Sequence, residues 1–458
     1  MNRIRRTTLA LALAVGAVAA ATAPATARAD KASDARERVG LPSISEQQRY
    51  RDELGLPSSA ATVRDLNERW AQGNVPGATT EGAVLTPDEE RELDTREGAG
   101  HEIATAARAL FADDPAGTFA GVYIDNANGK TVVLVTRDAD AVAAKIRARV
   151  TNGSRLAMRT VTFPMARLSS IADTVAGTSD ALRDRGANVT ATDVDEVANR
   201  TAIGLSPDTA TARAVVASAL APGDVAAVRF YDSGPATFAG VQTLNAPPVK
   251  GGQVILSARP DGFYNQCTSA FDAYRQTRTD AGIWVYDRYM ITAAHCKLGT
   301  TAGAGWFQTE LYFIGVADQD TLASQIDSMR VPLSKPVDRS NLVAITSTTD
   351  RYIYYRQSQS ADVLGERVCM SGARTGGEVC GTLLSRSHAE TIEGIPLRYL
   401  RIASFNAREG DSGGSVLQDS TAKGIVSCST YYNSAWRMCY QHVHTALGYL
   451  GLTNVEGA

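Results

Sequence analysis

The 458-residue chain has no cysteine before position 267, few aromatics (7%) and a net charge of only −3. Past its first 21 residues it also has no apolar run near 18 residues. Each scarcity excludes something. Without a later long apolar run there is no candidate for a membrane-spanning helix, so no membrane span is expected. With 46 basic against 49 acidic residues and a pI near 6.0, neither nucleic acid nor an anionic membrane surface is an expected partner. No C-x-x-C pair occurs and there are only five histidines, so the spacing of a metal site is missing and no metal or cofactor is called for. The aromatic poverty is uneven: 13 of the 16 tyrosines follow residue 260, which separates two halves of different character. The 44% hydrophobic and 21% charged composition is that of a globular chain, and the length suggests two to four domains.

What is present begins with Asn2-Arg3-Ile4-Arg5-Arg6, an apolar run from Leu9 to Ala21, and Ala27-Arg28-Ala29. A basic start, a short apolar core and an A-x-A site predict a signal peptide over residues 1–29, hence a secreted, extracellular protein. Six cysteines in an exported chain imply disulfides, and six allow 15 connectivities. Order and spacing favour Cys267–Cys296, Cys369–Cys380 and Cys428–Cys439. Each would contribute about 2–4 kcal/mol, chiefly by restricting the unfolded chain.

Thr86-Pro87-Asp88-Glu89 reads as a helix start, with Thr86 as N-cap and Glu89 closing a capping box. A helix carrying Glu92, Leu93 and Arg96 follows, then a second from about Ile103 to Phe111. Two β-branched runs, residues 119–125 and 131–136, flank an Asn/Gly turn and predict a hairpin. Residues 139–150 and 177–219 are Ala-rich and read as helical, which makes this half α+β and self-contained. The phrase Thr-Phe-Ala-Gly-Val at 118–122 and 237–241 has no fixed period behind it and is read as coincidence. Two prolines and two glycines within residues 242–252 mark a boundary. Beyond it, short β-rich runs predict an all-β domain of two packed antiparallel barrels with a final helix near Val443 to Leu450. One hairpin is expected from Ile283–Tyr286 and Tyr289–Thr292 around a turn at Asp287-Arg288.

The chemistry lies in two strings 117 residues apart, Thr292-Ala-Ala-His295-Cys296 and Gly410-Asp-Ser412-Gly-Gly414. A serine is a weak nucleophile until a neighbouring base takes its proton, and histidine titrates where that is possible near neutrality. Flanking glycines let backbone N–H groups approach an oxyanion. Together the strings resemble the chymotrypsin-like serine proteases. Val249-Lys-Gly-Gly252, Val368-Cys369-Met-Ser-Gly-Ala-Arg-Thr-Gly376 and Tyr440-Gln-His-Val443 narrow the resemblance to the streptogrisin and alpha-lytic endopeptidase branch. Phe119-Ala-Gly-Val-Tyr-Ile-Asp125 resembles the prodomain hairpin of the same enzymes.

The resemblance implies a Ser412–His295–Asp triad, with Asp327 the best-placed aspartate and Asp318, Asp320 and Asp338 its rivals. It implies an oxyanion hole from the N–H groups of Gly410 and Ser412, with Ser427 opening the strand that takes substrate backbone and Asn406 at the base of the pocket. Three departures stand out. The family's cysteine before the serine is missing near Asn406, together with its partner, so Cys428–Cys439 reads as a relocated bridge beside the pocket. Met370 replaces an arginine that in relatives pairs with the buried aspartate of the serine motif, leaving Asp411 to find Arg374 or a free α-amino group. Tyr440 stands where glutamate-specific relatives carry histidine, so acidic P1 preference is not expected. His442 and His444 share a strand face but lack a third ligand, and His101 and His388 stand alone.

The resulting expectation is a monomeric secreted serine endopeptidase acting on proteins or peptides through an acyl-enzyme. Its domains would be a signal peptide (1–29), a propeptide (30–244) that assists folding and inhibits, and a protease domain (245–458). Apolar P1 residues would be preferred. A catalytically silent binding protein of the same fold, or a hydrolase that keeps its N-terminal module, are the alternatives.

Overall fold

A computed structural model describes residues 41–79, 82–114, 117–233, 237–238, 248–309, 312–335, 338–346 and 349–458. The signal-peptide segment, and the 239–247 part of the join, lie outside the described residues.

The N-terminal half opens with α1 (Ile44–Glu53), α2 (Ala60–Ala71) and α3 (Pro87–Leu110). Thr86 caps α3 and Glu89 returns the capping-box bond. The two helices expected between Glu92 and Phe111 are one. Gly100, which could have broken the helix, instead lets it lie against Ile124, where a side chain would overlap. Then come β1 (Phe119–Asp125), β2 (Lys130–Val135), α4 (Ala139–Arg147), β3 (Leu156–Thr160), α5 (Met165–Gly177) and α6 (Ser179–Asp184). They are followed by β4 (Val189–Asp195), β5 (Arg200–Leu205), α7 (Ala210–Ser218), β6 (Val228–Asp232) and the two-residue β7 (Thr237–Phe238).

Residues 177–219 are therefore not continuously helical. They contain the hairpin β4–β5. Its valines, threonines and isoleucine are β-branched and favour a strand, and burial of Val189, Ala191, Val194 and Ile203 overrides the helix preference of its alanines. The order β-β-α-β occurs twice, with corresponding elements 70 to 72 residues apart, so the half is a structural duplication. In each copy the hairpin is antiparallel and the third strand parallel.

The C-terminal half begins with β8 (Val254–Ala258), β9 (Tyr264–Thr268), β10 (Phe271–Arg278), β11 (Trp284–Thr292), β12 (Gly305–Thr309), β13 (Tyr312–Val316), β14 (Gln319–Asp320) and β15 (Met329–Pro332). They form two sheets, ordered β13-β12-β8-β9 and β14-β15-β11-β10. Both face a core that includes Ile255, Ile291, Trp306, Ile314 and Val331. β11 is one strand, not a hairpin: Asp287 on one face pairs with Arg275 of β10 and Arg288 on the other lies over Tyr274 and Tyr286, so the polar dipeptide is half-buried on the sheet without turning the chain.

Short strands β16 (Leu342–Ala344), β17 (Asp350–Tyr352) and β18 (Tyr355–Arg356) lead to β19 (Arg367–Gly372), β20 (Gly377–Ile392), β21 (Ile395–Ala403), β22 (Ser415–Gln418), β23 (Thr421–Tyr432) and β24 (Ala435–His442). The order β19-β22-β23-β24-β21-β20 closes on itself through β19–β20, giving a six-stranded antiparallel barrel. α8 (Val443–Tyr449) follows, and β25 (Asn454–Val455) returns to β10.

The N-terminal half is not self-contained. Residues from Pro42 to Ala458 form one compact unit. β4 adds to β20 as a further strand, and Tyr50, Leu54, Leu85 and Leu93 share a core with Cys369 and Cys380. No described helix is long and apolar enough to cross a membrane.

Candidate active site

β11 ends at Thr292, and a single 3-10 turn, Ala294–Lys297, presents His295. The disulfide Cys267–Cys296 fixes that turn to the end of β9. Next to it, Thr268 reaches the serine loop of the closed barrel: its N–H donates to the Ser412 carbonyl (2.7 Å) and its hydroxyl to the Gly410 carbonyl. Thr292 donates in turn to the Thr268 carbonyl (2.8 Å). One bridge thus sets the distance between the histidine turn and the serine loop. Thr268 was not singled out from sequence, although its place directly after Cys267 was the available signal.

In the serine loop Gly410 has φ 115° and Gly413 φ 81°, both in the region glycine favours. A side chain on Gly413 would overlap Thr292 and the Thr268 carbonyl. Asp411 is buried and folds the loop by accepting the N–H groups of Arg408 (2.8 Å), Arg374 (3.1 Å) and Thr375 (2.8 Å) and the Thr375 hydroxyl (2.5 Å). The side-chain partner expected from Arg374 is thus replaced by its backbone N–H and by Thr375. A carboxylate that receives four hydrogen bonds needs no arginine at position 370, where Met370 packs in the barrel core instead.

Three groups meet between the paired sheets and the closed barrel, although the expected first barrel is two separate sheets. Ser412 Oγ lies 2.8 Å from His295 Nε2. His295 Nδ1 lies 2.6 Å from Asp327 Oδ2, and the His295 N–H donates to Asp327 Oδ1 at 2.9 Å. With Asp327 ionised, Nδ1 carries the proton and Nε2 is left to accept from the serine. Burial alone would raise the Asp327 carboxyl; the charge and hydrogen bonds of His295, together with Ser427, outweigh it and hold the group below the usual carboxylate range. Ser427 donates to Asp327 Oδ2 at 2.5 Å. It can because β23 bulges between Val426 and Cys428, which turns the Ser427 side chain out of the ladder. The rival aspartates are used elsewhere: Asp318 pairs with Arg330, Asp320 with Lys297, and Asp338 accepts from Tyr312.

Of the remaining candidates, Asn406 is exposed, and its Oδ1 accepts the Ser429 hydroxyl (2.6 Å), which also lies 2.7 Å from the Ala407 carbonyl. Cys428 and Cys439 face each other in register on β23 and β24 and are bonded, as are Cys369 and Cys380 on β19 and β20. The other histidines each have a partner in the fold. His442 Nδ1 accepts the His444 N–H at the start of α8, while Nε2 faces Asp362. His101 meets Glu366 and His388 meets Glu390.

No family model matches the chain. Streptogrisin-C of Streptomyces griseus is 27% identical over 205 residues, 43% of this chain. Over less than half of its length the chain is similar to bacterial serine proteases. The chain matches about 40% of the length of that curated relative. Solved structures with likeness to it include a glutamic acid-specific serine protease that uses a histidine triad in substrate binding (24% identical, TM-score 0.37) and protease A of Thermobifida fusca (25%, TM-score 0.36). A chymotrypsin of Cellulomonas bogoriensis also resembles it (25%, TM-score 0.35). Each covers 45% of this chain and 98–100% of the solved one. Among the described residues, the C-terminal half carries two β-rich cores and a C-terminal helix.

Proposed function

We propose that the chain is the precursor of a secreted serine endopeptidase, with Ser412 as nucleophile, His295 as general base and Asp327 as the carboxylate that orients it. The observation that carries this reading is the continuous hydrogen-bonded line Ser412–His295–Asp327, at 2.8 and 2.6 Å. In it the serine proton moves to Nε2 as Oγ attacks a carbonyl. Asp327 stabilises the imidazolium that results, and the imidazolium then protonates the leaving amine. The N–H groups of Gly410 and Ser412 would face the oxyanion. Water repeats the sequence on the acyl-enzyme. Reaction with a fluorophosphonate, followed by mapping of the modified peptide, tests the reading: label on Ser412 is expected, and its absence from a folded, processed protein would refute it.

The N-terminal half acts in this reading as a propeptide that supports folding and blocks the cleft. Two contacts support it. β7 pairs antiparallel with Cys428 and Ser429, the stretch that would take substrate backbone as an added strand. β4 extends the catalytic barrel through β20, covering an edge that long-range strand pairing must otherwise complete unaided. Secretion follows from the leader-like N-terminus and fits three disulfides. An apolar P1 preference is favoured because Asn406, taken up by Ser429, offers no counter-charge to lysine or arginine.

A further inference from the structure

We propose that Gln441 is a positioning residue for Asp327, holding the aspartate from its backbone side while His295 and Ser427 hold the carboxylate. The proposal rests on the triad reading above.

The Asp327 carboxylate is held by three donors, but they can align it only if its main chain is fixed too. That main chain leaves the 3-10 turn Leu322–Ser324 through Gln325, which has φ 62°, two residues before Asp327. A non-glycine residue in that region is strained and stays there only when its surroundings insist. Two contacts supply the constraint. The Asp327 N–H donates to Gln441 Oε1 (3.3 Å), and the Arg398 N–H donates to the Gln325 carbonyl (2.9 Å).

Gln441 has 0% exposure in the wall of the closed barrel, paired with Leu400 on β21 and Ile425 on β23. An amide buried there costs free energy unless both of its ends are bonded, so an apolar side chain would suit the wall better on packing grounds alone. Both ends are bonded. While Oε1 takes the Asp327 N–H, Nε2 donates to the Tyr399 carbonyl (3.3 Å), which also accepts from Arg401 (3.0 Å). Tyr399 itself has φ 58°, so its carbonyl is turned out of the ordinary ladder toward these donors. The amide therefore bridges a strained residue of β21 to the backbone of the triad aspartate.

The test uses the secreted, processed enzyme carrying Gln441→Met, which matches glutamine in shape and removes both hydrogen bonds. If the amide positions Asp327, kcat falls by up to about 100-fold, the scale of a misplacement near 1 Å, with KM little changed. The acid limb of the kcat/KM profile moves to lower pH, because a displaced carboxylate stabilises the imidazolium less. The low-field proton resonance of His295 Nδ1–H moves upfield. If Gln441→Met does not accumulate, Gln441→Asn serves: its shorter amide keeps one bond at most, and an intermediate kcat is expected. Wild-type kcat, pH profile and proton resonance in either variant would overturn the proposal while wild-type enzyme remains active. If wild-type enzyme neither hydrolyses peptides nor labels at Ser412, the triad reading itself is what fails.

Discussion

Arg367 of β19 and Glu97 of α3 are joined across the two halves by three hydrogen bonds: the arginine N–H to Oε1 (2.8 Å), Nε to Oε1 (3.0 Å) and Nη2 to Oε2 (3.1 Å). Glu90 and Asp94, on the same face of the helix, take two more guanidinium donors at 2.6 and 2.7 Å. Arg367 is 1% exposed, and these carboxylates, Glu97 foremost, more than offset its desolvation and push its guanidinium further up. Four of the five guanidinium donors of a buried arginine in the C-terminal half are thus taken by a helix of the N-terminal half. Removing one partner should leave an under-compensated charge. Glu97→Ala in full-length Ser412→Ala protein is expected to lose about 3–5 kcal/mol in urea denaturation. A loss below about 1 kcal/mol would mean that the cluster contributes little to holding the halves together.

Substitutions in the triad should separate chemistry from folding. Ser412→Ala should abolish turnover and labelling while leaving secretion intact. Asp327→Asn should cost about 10⁴ in kcat, since the amide favours the wrong imidazole tautomer. Single-turnover kinetics on a chromogenic peptide would measure both. If Asp318→Asn or Asp338→Asn produced that loss and Asp327→Asn did not, the assignment would move.

Acid should destabilise the unprocessed chain. Burial alone would raise the carboxyls of Asp327, Asp362 and Glu366, but each ends below its ordinary value. His295 does this for Asp327, His442 and Arg401 for Asp362, and Lys423 and His101 for Glu366. Their folded values thus lie below those of the unfolded chain, near 3.9 for Asp and 4.3 for Glu. The stability they confer is complete above those values and is lost as pH falls through the folded ones. Urea midpoints of Ser412→Ala protein should therefore hold from pH 7 to about 5 and drop steeply below about pH 4. An unchanged midpoint at pH 3 would contradict the argument.

Processing should fall before Val249. That residue is buried, its N–H donates to the Asp338 carbonyl, and Gly251 and Gly252 are bonded to Leu342 and Ser269. N-terminal sequencing of secreted protein should find a start between residues 243 and 249, with cleavage after Leu244 fitting self-processing at an apolar P1 residue. A P1-varied peptide library should rank apolar or aromatic residues above basic ones. A mature chain beginning at Asp30, or a clear arginine preference, would overturn the processing or the pocket reading.

The two motif strings, the helix start at Thr86 and the cysteine order were legible in the sequence because each is local. A tight turn needs glycine at set places, and a capping box needs Thr86 and Glu89 three apart, wherever the chain later goes. The fusion of two helices into α3, the straight course of β11 and the hairpin β4–β5 were not legible. In each, local preference was weak, and the outcome turned on Ile124, on Arg275, or on a core formed by residues far along the chain. The same holds at the site. Sequence alone determined that this chain carries a serine and a histidine of the right kind, in glycine-shaped surroundings. Only the tertiary structure decided which aspartate completes the line, that backbone N–H groups and Thr375 satisfy Asp411, and that Thr268 and Gln441 hold the parts in place. Most of the hydrogen bonds behind those choices span from 32 to more than 140 residues, and no spacing rule encodes which distant group arrives at the right distance and angle.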